Sequence, residues 1–263
     1  MVSVLAVKIL LAPAFVMAAS LAARHFGARI GGLVGGLPVV AGPILLVFAL
    51  SHGRAFAAEA AAGTLLGIVS LLAFIVVYSH SAGRASWAVS LVLGWTAFFA
   101  MTGALSTVTV GPDVSLALVL AAIALTLLVL PRAQGERLSQ VSPPAWDLPL
   151  RGLSALALVL ALTGLAGQLG AKLSGLLAPF PVIASVLAVF THAQLGEEDL
   201  LRIMHGFVVG LVAYALFCFA LTVSLESLSI AESFLLATIC ALVTQAVALT
   251  VTWRRREPAA EPL

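Results

Sequence analysis

Two histidines and two proline motifs are the residues of this chain whose types and spacing could do chemistry. His192, in FTHAQ, and His205, in MHGF, flank the acidic turn GEED, and histidine is the side chain whose charge changes near neutral pH. A short helical hairpin would bring both to one vestibule as candidate coupling groups for a proton. The plainer reading of each is an interfacial histidine without a coupled role. The proline motifs are GGLPVVAGP at 35–43 and LAPFPVIAS at 177–185. Each sits within an apolar run long enough to cross a bilayer, where proline removes a backbone donor and interrupts or kinks the helix. Freed backbone groups are tolerated at membrane depth only where protein or a wet cavity satisfies them. A matched pair of breaks therefore points to a binding site near the midplane. The candidate substrate contacts are Gly35, Gly36, Pro38, Gly42 and Pro43 on one side and Pro179, Pro181 and Ser185 on the other. On the competing reading, these glycines and prolines only pack and bend helices.

The elements that must position these residues are membrane helices. Of 263 residues, 62% are hydrophobic and 9% charged, the mean hydropathy is +1.17, and apolar runs recur along the whole length. That composition makes an all-α, polytopic membrane bundle. A net charge of +2 gives no reason to expect nucleic acid as a partner. Cys218 and Cys240 lie in apolar segments and read as small hydrophobes rather than a disulfide. HExxH, GxSxG, paired prenyl-transferase aspartates and clustered metal ligands are all missing, so neither an enzyme, a cofactor nor a metal is expected. The first apolar run lacks a positive leading region and reads as a retained helix rather than a signal peptide.

Breaks at charges, Gly-Pro pairs and polar clusters place about nine helices, near 3–23, 30–50, 57–79, 87–106, 114–131, 148–169, 174–195, 200–224 and 230–252. A shift of 143 residues lays 27–53 over 170–196 without a gap, and from Lys8/Arg151 to Phe74/Phe217 it gives 18 identities in 67 positions. Gly27/Gly170, Gly32/Gly175, Pro38/Pro181, Gly53/Gly196, Gly63/Gly206 and Gly67/Gly210 are among them. The chain thus divides into a four-helix repeat at 1–110, a linking helix and cytoplasmic linker at 111–147, a second four-helix repeat at 148–253, and a cytoplasmic tail at 254–263. The single linking helix inverts the second copy. Gly63 and Gly67, like Gly206 and Gly210, have the four-residue spacing of a close-packing face.

Charge fixes the expected orientation. In this layout Arg24, Arg29, Arg84, Arg132, Arg137, Arg151, Arg202 and Arg254 to Arg256 fall on one side, and only Lys8, Arg54 and Lys172 on the other. Ten against three puts the carboxyl terminus in the cytoplasm and the amino terminus outside, in a bacterial-type inner membrane. Trp87, Trp146 and Trp253 mark helix ends on the cytoplasmic side. Lys8 and Arg151 are expected to snorkel from helix ends. Glu59 and Arg202 are equivalent but lie on opposite sides. Gln245 and Thr244 form the deepest polar pair, explained by hydrogen bonding inside the bundle.

The stretch LAPFPVIASVLAVFTHAQLGEEDLLR, 177–202, resembles the small GlpM-type inner-membrane proteins, four-helix proteins of about this repeat length. GLPVVAGPILLVFALSHGRAFA, in the segment 32–57, is similar to duplicated bacterial membrane proteins. The resemblance covers about half the chain and implies architecture, with no residue roles attached. Inverted repeats, breaks in corresponding helices and the lack of buried carboxylates lead to the expectation of a secondary transporter or exporter working by alternating access on a small, amphiphilic anionic solute. The alternative is a non-transporting scaffold or regulator of an envelope assembly. Expected partners are the solute and the lipid bilayer, with homo-oligomerisation left open.

Overall fold

A chain this apolar has to satisfy its backbone within each segment, and the helix does so residue by residue. The computed structural model describes residues 2–133, 146–166 and 170–254, and among them there are helices and turns but no strand. In chain order the elements are α1 (Val2–Phe26), α2 (Ala28–Gly35), α3 (Ala41–His52), α4 (Arg54–Ala82), α5 (Trp87–Ser106), α6 (Pro112–Val129), α7 (Asp147–Ala166), α8 (Ala171–Leu177), α9 (Val182–Leu195), α10 (Glu197–Ser227) and α11 (Ile230–Arg254). Six are long and apolar enough to cross a membrane: α4, α5, α6, α10, α11 and the α8–α9 pair, Ala171–Leu195, taken as one. The side chains of Lys8 and Trp253, and residues Arg137, Arg255 and Arg256, lie outside the described residues.

Burial sorts these helices into two layers. The apolar stretches of α4 and of the α8–α9 pair are each 72% buried and that of α10 67%, against 22% for α5 and α6 and 17% for α11. The outer helices turn Val92, Leu125, Leu128, Leu242 and Val243 outward, as a surface facing hydrocarbon requires. Both cysteines are free, Cys218 inside the core and Cys240 half-buried.

Contacts at the centre run crosswise. Helix α2 lies against α10, where Gly206 backs onto the Arg29 carbonyl and Gly210 onto that of Leu33. Helix α8 lies against α4 in the same way, with Gly63 at the Lys172 carbonyl and Gly67 at that of Leu176. A Cβ at Gly63 or Gly67 would stand 2.7 or 2.6 Å from those oxygens, so the four-residue glycine spacing serves backbone-to-backbone approach. The helix starts recur at the same interval: Ala28 and Ala171, Arg54 and Glu197, Trp87 and Ile230. Ser90 and Ser233, also 143 residues apart, are both fully buried.

Single glycines join α3 to α4 and α9 to α10. Gly53 has φ 89° and ψ 173°, and Gly196 has φ 85° and ψ −173°, a region that residues with a Cβ avoid. Open space surrounds both positions, so strain there is a backbone matter alone. Gly53→Ala and Gly196→Ala should each cost about 1–3 kcal/mol and lower the melting temperature in detergent. Gly103→Ala, in the open on α5, should leave it unchanged or raise it.

Candidate functional site

The two proline motifs interrupt their helices in the same manner. Between α2 and α3 the bonds run from Leu37 N to Val34 O at 3.2 Å, Val39 N to Leu37 O at 2.8 Å and Gly42 N to Pro38 O at 2.8 Å. Between α8 and α9 they run from Phe180 N to Leu177 O at 2.9 Å, Val182 N to Phe180 O at 2.7 Å and Ser185 N to Pro181 O at 2.7 Å. Donor and acceptor correspond at every step. The bond from residue i+2 to i closes a three-residue turn around each proline, and Pro181, at φ −73° and ψ 51°, has the inverse γ-turn conformation. Proline favours this turn because its φ is already fixed there and the donor it lacks is not needed.

Side chains from the outer helices attend to both interruptions. Gln245 of α11 donates its Nε2 to the Leu33 carbonyl at 2.7 Å, one turn before the first break. Its neighbour Thr244 bonds the Cys240 carbonyl of its own helix at 2.7 Å. Trp95 of α5 donates its Nε1 to Ser185 Oγ at 3.0 Å, and its ring packs 5.7 Å from that of Phe180.

The breaks share one cavity of about 40 Å³. Its wall pairs off at an interval of 143 residues: Gly35 with Ala178, Gly36 with Pro179, Leu37 with Phe180, Pro38 with Pro181, Ala41 with Ala184, and Leu71 with Tyr214. Such a volume accepts a guest of water size. Of the substrate contacts expected from sequence, Gly35, Gly36, Pro38, Pro179 and Pro181 line it, whereas Gly42, Pro43 and Ser185 do not. Gly36 is also a crossing point, since a Cβ there would meet the Phe207 carbonyl oxygen at 2.7 Å and Gly210 Cα at 2.8 Å.

The histidines keep separate company. His192 Nδ1 lies 3.4 Å from the buried Tyr78 hydroxyl of α4, and the two rings meet edge to face at 6.0 Å. His205 Nδ1–H donates to the Leu201 carbonyl at 2.9 Å and borders a different cleft, with Arg29 and Val251. No hydrogen bond or ring contact joins the pair among the described residues.

One cluster went unforeseen and corrects the expectation that the chain lacks a buried carboxylate. Asp147, fully buried at the start of α7, accepts from Arg24 of α1 through Oδ2, from Arg151 Nε at 2.8 Å and from Gln194 Nε2 of α9 at 2.6 Å. The Arg151 guanidinium also caps the Phe190 ring at 4.9 Å. The expectation that Arg151 snorkels is therefore corrected: it is 4% exposed, because a carboxylate one turn earlier and an aromatic face give it a better partner than the interface. The cluster ties α9, which carries the second break, to α1 and α7. A neighbouring pair of acid and base four residues apart was visible in DLPLR, but the partners Arg24 and Gln194 lie far away in sequence.

Compared with known proteins, the chain matches no family model, no curated protein and no solved structure.

Two measurements of thermal stability follow from this geometry. Gly36→Ala should cost about 1–3 kcal/mol, because both atoms in its way are backbone. Gly42→Ala should be neutral, its nearest neighbour being the Phe217 ring edge at 3.4 Å. Equal losses in the two variants would mean that α3 is packed as tightly as α2. Asp147→Asn should cost roughly 3–5 kcal/mol, since it leaves the buried Arg151 charge uncompensated. The double variant Asp147→Asn with Arg151→Met should recover part of that loss.

Proposed function

We propose that this chain is a secondary carrier built from two inverted four-helix repeats, moving a small solute across a bacterial-type inner membrane by alternating access. In this reading α1, the α2–α3 pair, α4, α5, α6, α7, the α8–α9 pair, α10 and α11 are nine crossings, and α6 is the odd one that turns the second repeat over. One observation supports it above the others. The two breaks have matching hydrogen bonds and meet at one cavity whose wall residues correspond at a fixed interval. Discontinuous helices meeting at a repeat interface are how such carriers build their sites. The crosswise packing of α2 on α10 and α8 on α4 is what a two-fold axis in the membrane plane would produce. The likeness to single-copy GlpM-type proteins suits this too, since one four-helix unit could pair antiparallel with a second copy.

The amino ends of α3 and α9 border the cavity through Val40, Ala41, Val182 and Ile183. Their dipoles favour an anionic group, and apolar walls around them favour an amphiphilic one. A cavity of about 40 Å³ admits no such solute until the breaks part, so the conformation is an occluded one. The ion cluster at Asp147 would keep α9 closed against α1 and α7 on the cytoplasmic side. The charge asymmetry of the loops supports an outside amino terminus and a cytoplasmic carboxyl terminus.

Flux of small organic anions into vesicles carrying the purified protein tests the proposal. The wild type should move at least one of them. Ala184→Leu, which adds bulk to a fully buried cavity wall, should stop flux while the protein still melts cooperatively. A wild type that moves nothing, together with an Ala184→Leu variant that binds the same membrane partner as the wild type, would favour the scaffold reading instead.

A further inference from the structure

Where α2, α6, α10 and α11 come together there is a second cleft, of about 290 Å³, walled by Leu33, Leu127, Val209, Ala248 and Val251. Its edge is basic. Arg29 and His205 line it, and Arg132, just beyond α6, is close enough to His205 to act on it through its charge, as Arg29 is. His205 spends Nδ1–H on the Leu201 carbonyl, which leaves Nε2 as its remaining polar atom. Arg29 and Arg132 are both exposed, and neither makes a hydrogen bond or ion pair among the described residues. Arg24, Arg151 and Arg202 differ in this respect, each being paired with a carboxylate. No Asp or Glu lines the cleft.

Two of its walls, α6 and α11, belong to the outer layer, so the cleft is reached from the side on which lipid lies. Hydrocarbon walls beneath a cluster of unpaired cations match an amphiphile with an anionic head and an alkyl tail, and in a bilayer the abundant molecule of that chemistry is an anionic phospholipid. We propose that this cleft binds one anionic phospholipid, with its phosphate held by Arg29 and Arg132 and one acyl chain lying along Leu127, Val209 and Val251. The acyl chain would fill the space between α2, α10 and α11, close to the turn that precedes the first break. This site is separate from the cavity at the breaks and does not depend on the carrier reading.

The test uses the full chain, purified in a neutral detergent and stripped of lipid, then titrated with phosphatidylglycerol, with phosphatidylcholine of the same acyl chains, and with inorganic phosphate. Bound lipid is counted by native mass spectrometry, and the melting temperature is followed in parallel. Phosphatidylglycerol should be retained and should raise the melting temperature, while the zwitterionic lipid and free phosphate should do neither. Arg29→Gln with Arg132→Gln should weaken retention about tenfold or more. Val251→Trp, which fills the cleft and keeps both arginines, should weaken it comparably. Equal retention of the two lipids, stabilisation by phosphate alone, or wild-type retention by both variants would overturn the proposal. Should the double arginine variant not fold, Val251→Trp decides the matter by itself.

Discussion

Backbone groups without water have to find partners within the protein, and this constraint governs the structure. A proline in the middle of a membrane-length apolar run removes one donor and displaces the acceptor four residues back. The chain meets that demand twice in the same way. A tight turn around the proline uses the nearest carbonyl, the next helix starts within three residues, and a side chain from the outer layer reaches in. Gln245 does this at the first break by taking the Leu33 carbonyl at 2.7 Å. Trp95 anchors the second through Ser185 at 3.0 Å. A hydrogen bond of this kind contributes only about 0.6 kcal/mol on average in a membrane interior. Its larger effect is to satisfy the amide N–H of Gln245 and the indole N–H of Trp95, each of which would cost several kcal/mol if left unpaired there.

Interrupted helices are short and gain little from propagation, so they depend on close packing. That explains where the glycines sit. Gly206 and Gly210 open a groove for α2, and Gly63 and Gly67 open one for α8, with carbonyl oxygens lying directly over the glycine Cα atoms. Only a residue without a Cβ permits this approach. The buried Asp147 cluster supplies the opposite kind of cohesion, strong and directional, to α9 after the second break.

Much of this was legible in the sequence because it rests on local chemistry. Pro38 and Pro181 announce their breaks, since no helix accommodates a proline in its interior without losing a bond. Gly53 and Gly196 stand where a helix must reverse within one residue. The four-residue glycine spacing gives a packing face without saying which helix fills it. What could not be read depends on partners distant in the chain. Arg151 looked like a helix-end cation, and only the fold brings Arg24 and Gln194 to the carboxylate beside it. Gly36 lies in the expected site motif, yet its position against Gly210 was hidden, because the choice between lining a cavity and touching a neighbour is made in three dimensions. The two histidines likewise looked like one pair, and the fold gives Tyr78 to one and the α2–α11 cleft to the other.

The crosswise packing also bears on how the protein is made. A chain entering the membrane from its amino end delivers α4 long before α8 exists, so the groove at Gly63 and Gly67 must wait unfilled while the intervening helices are synthesised. For the same interval α2 lacks α10, and its carbonyls face whatever the nascent bundle or the insertion machinery provides. Neither half therefore reaches its final packing alone, and assembly becomes a single late event in which two open grooves close together. A chain cut between α6 and α7 would meet the same condition between two separate polypeptides, each carrying the groove that the other's short helix completes.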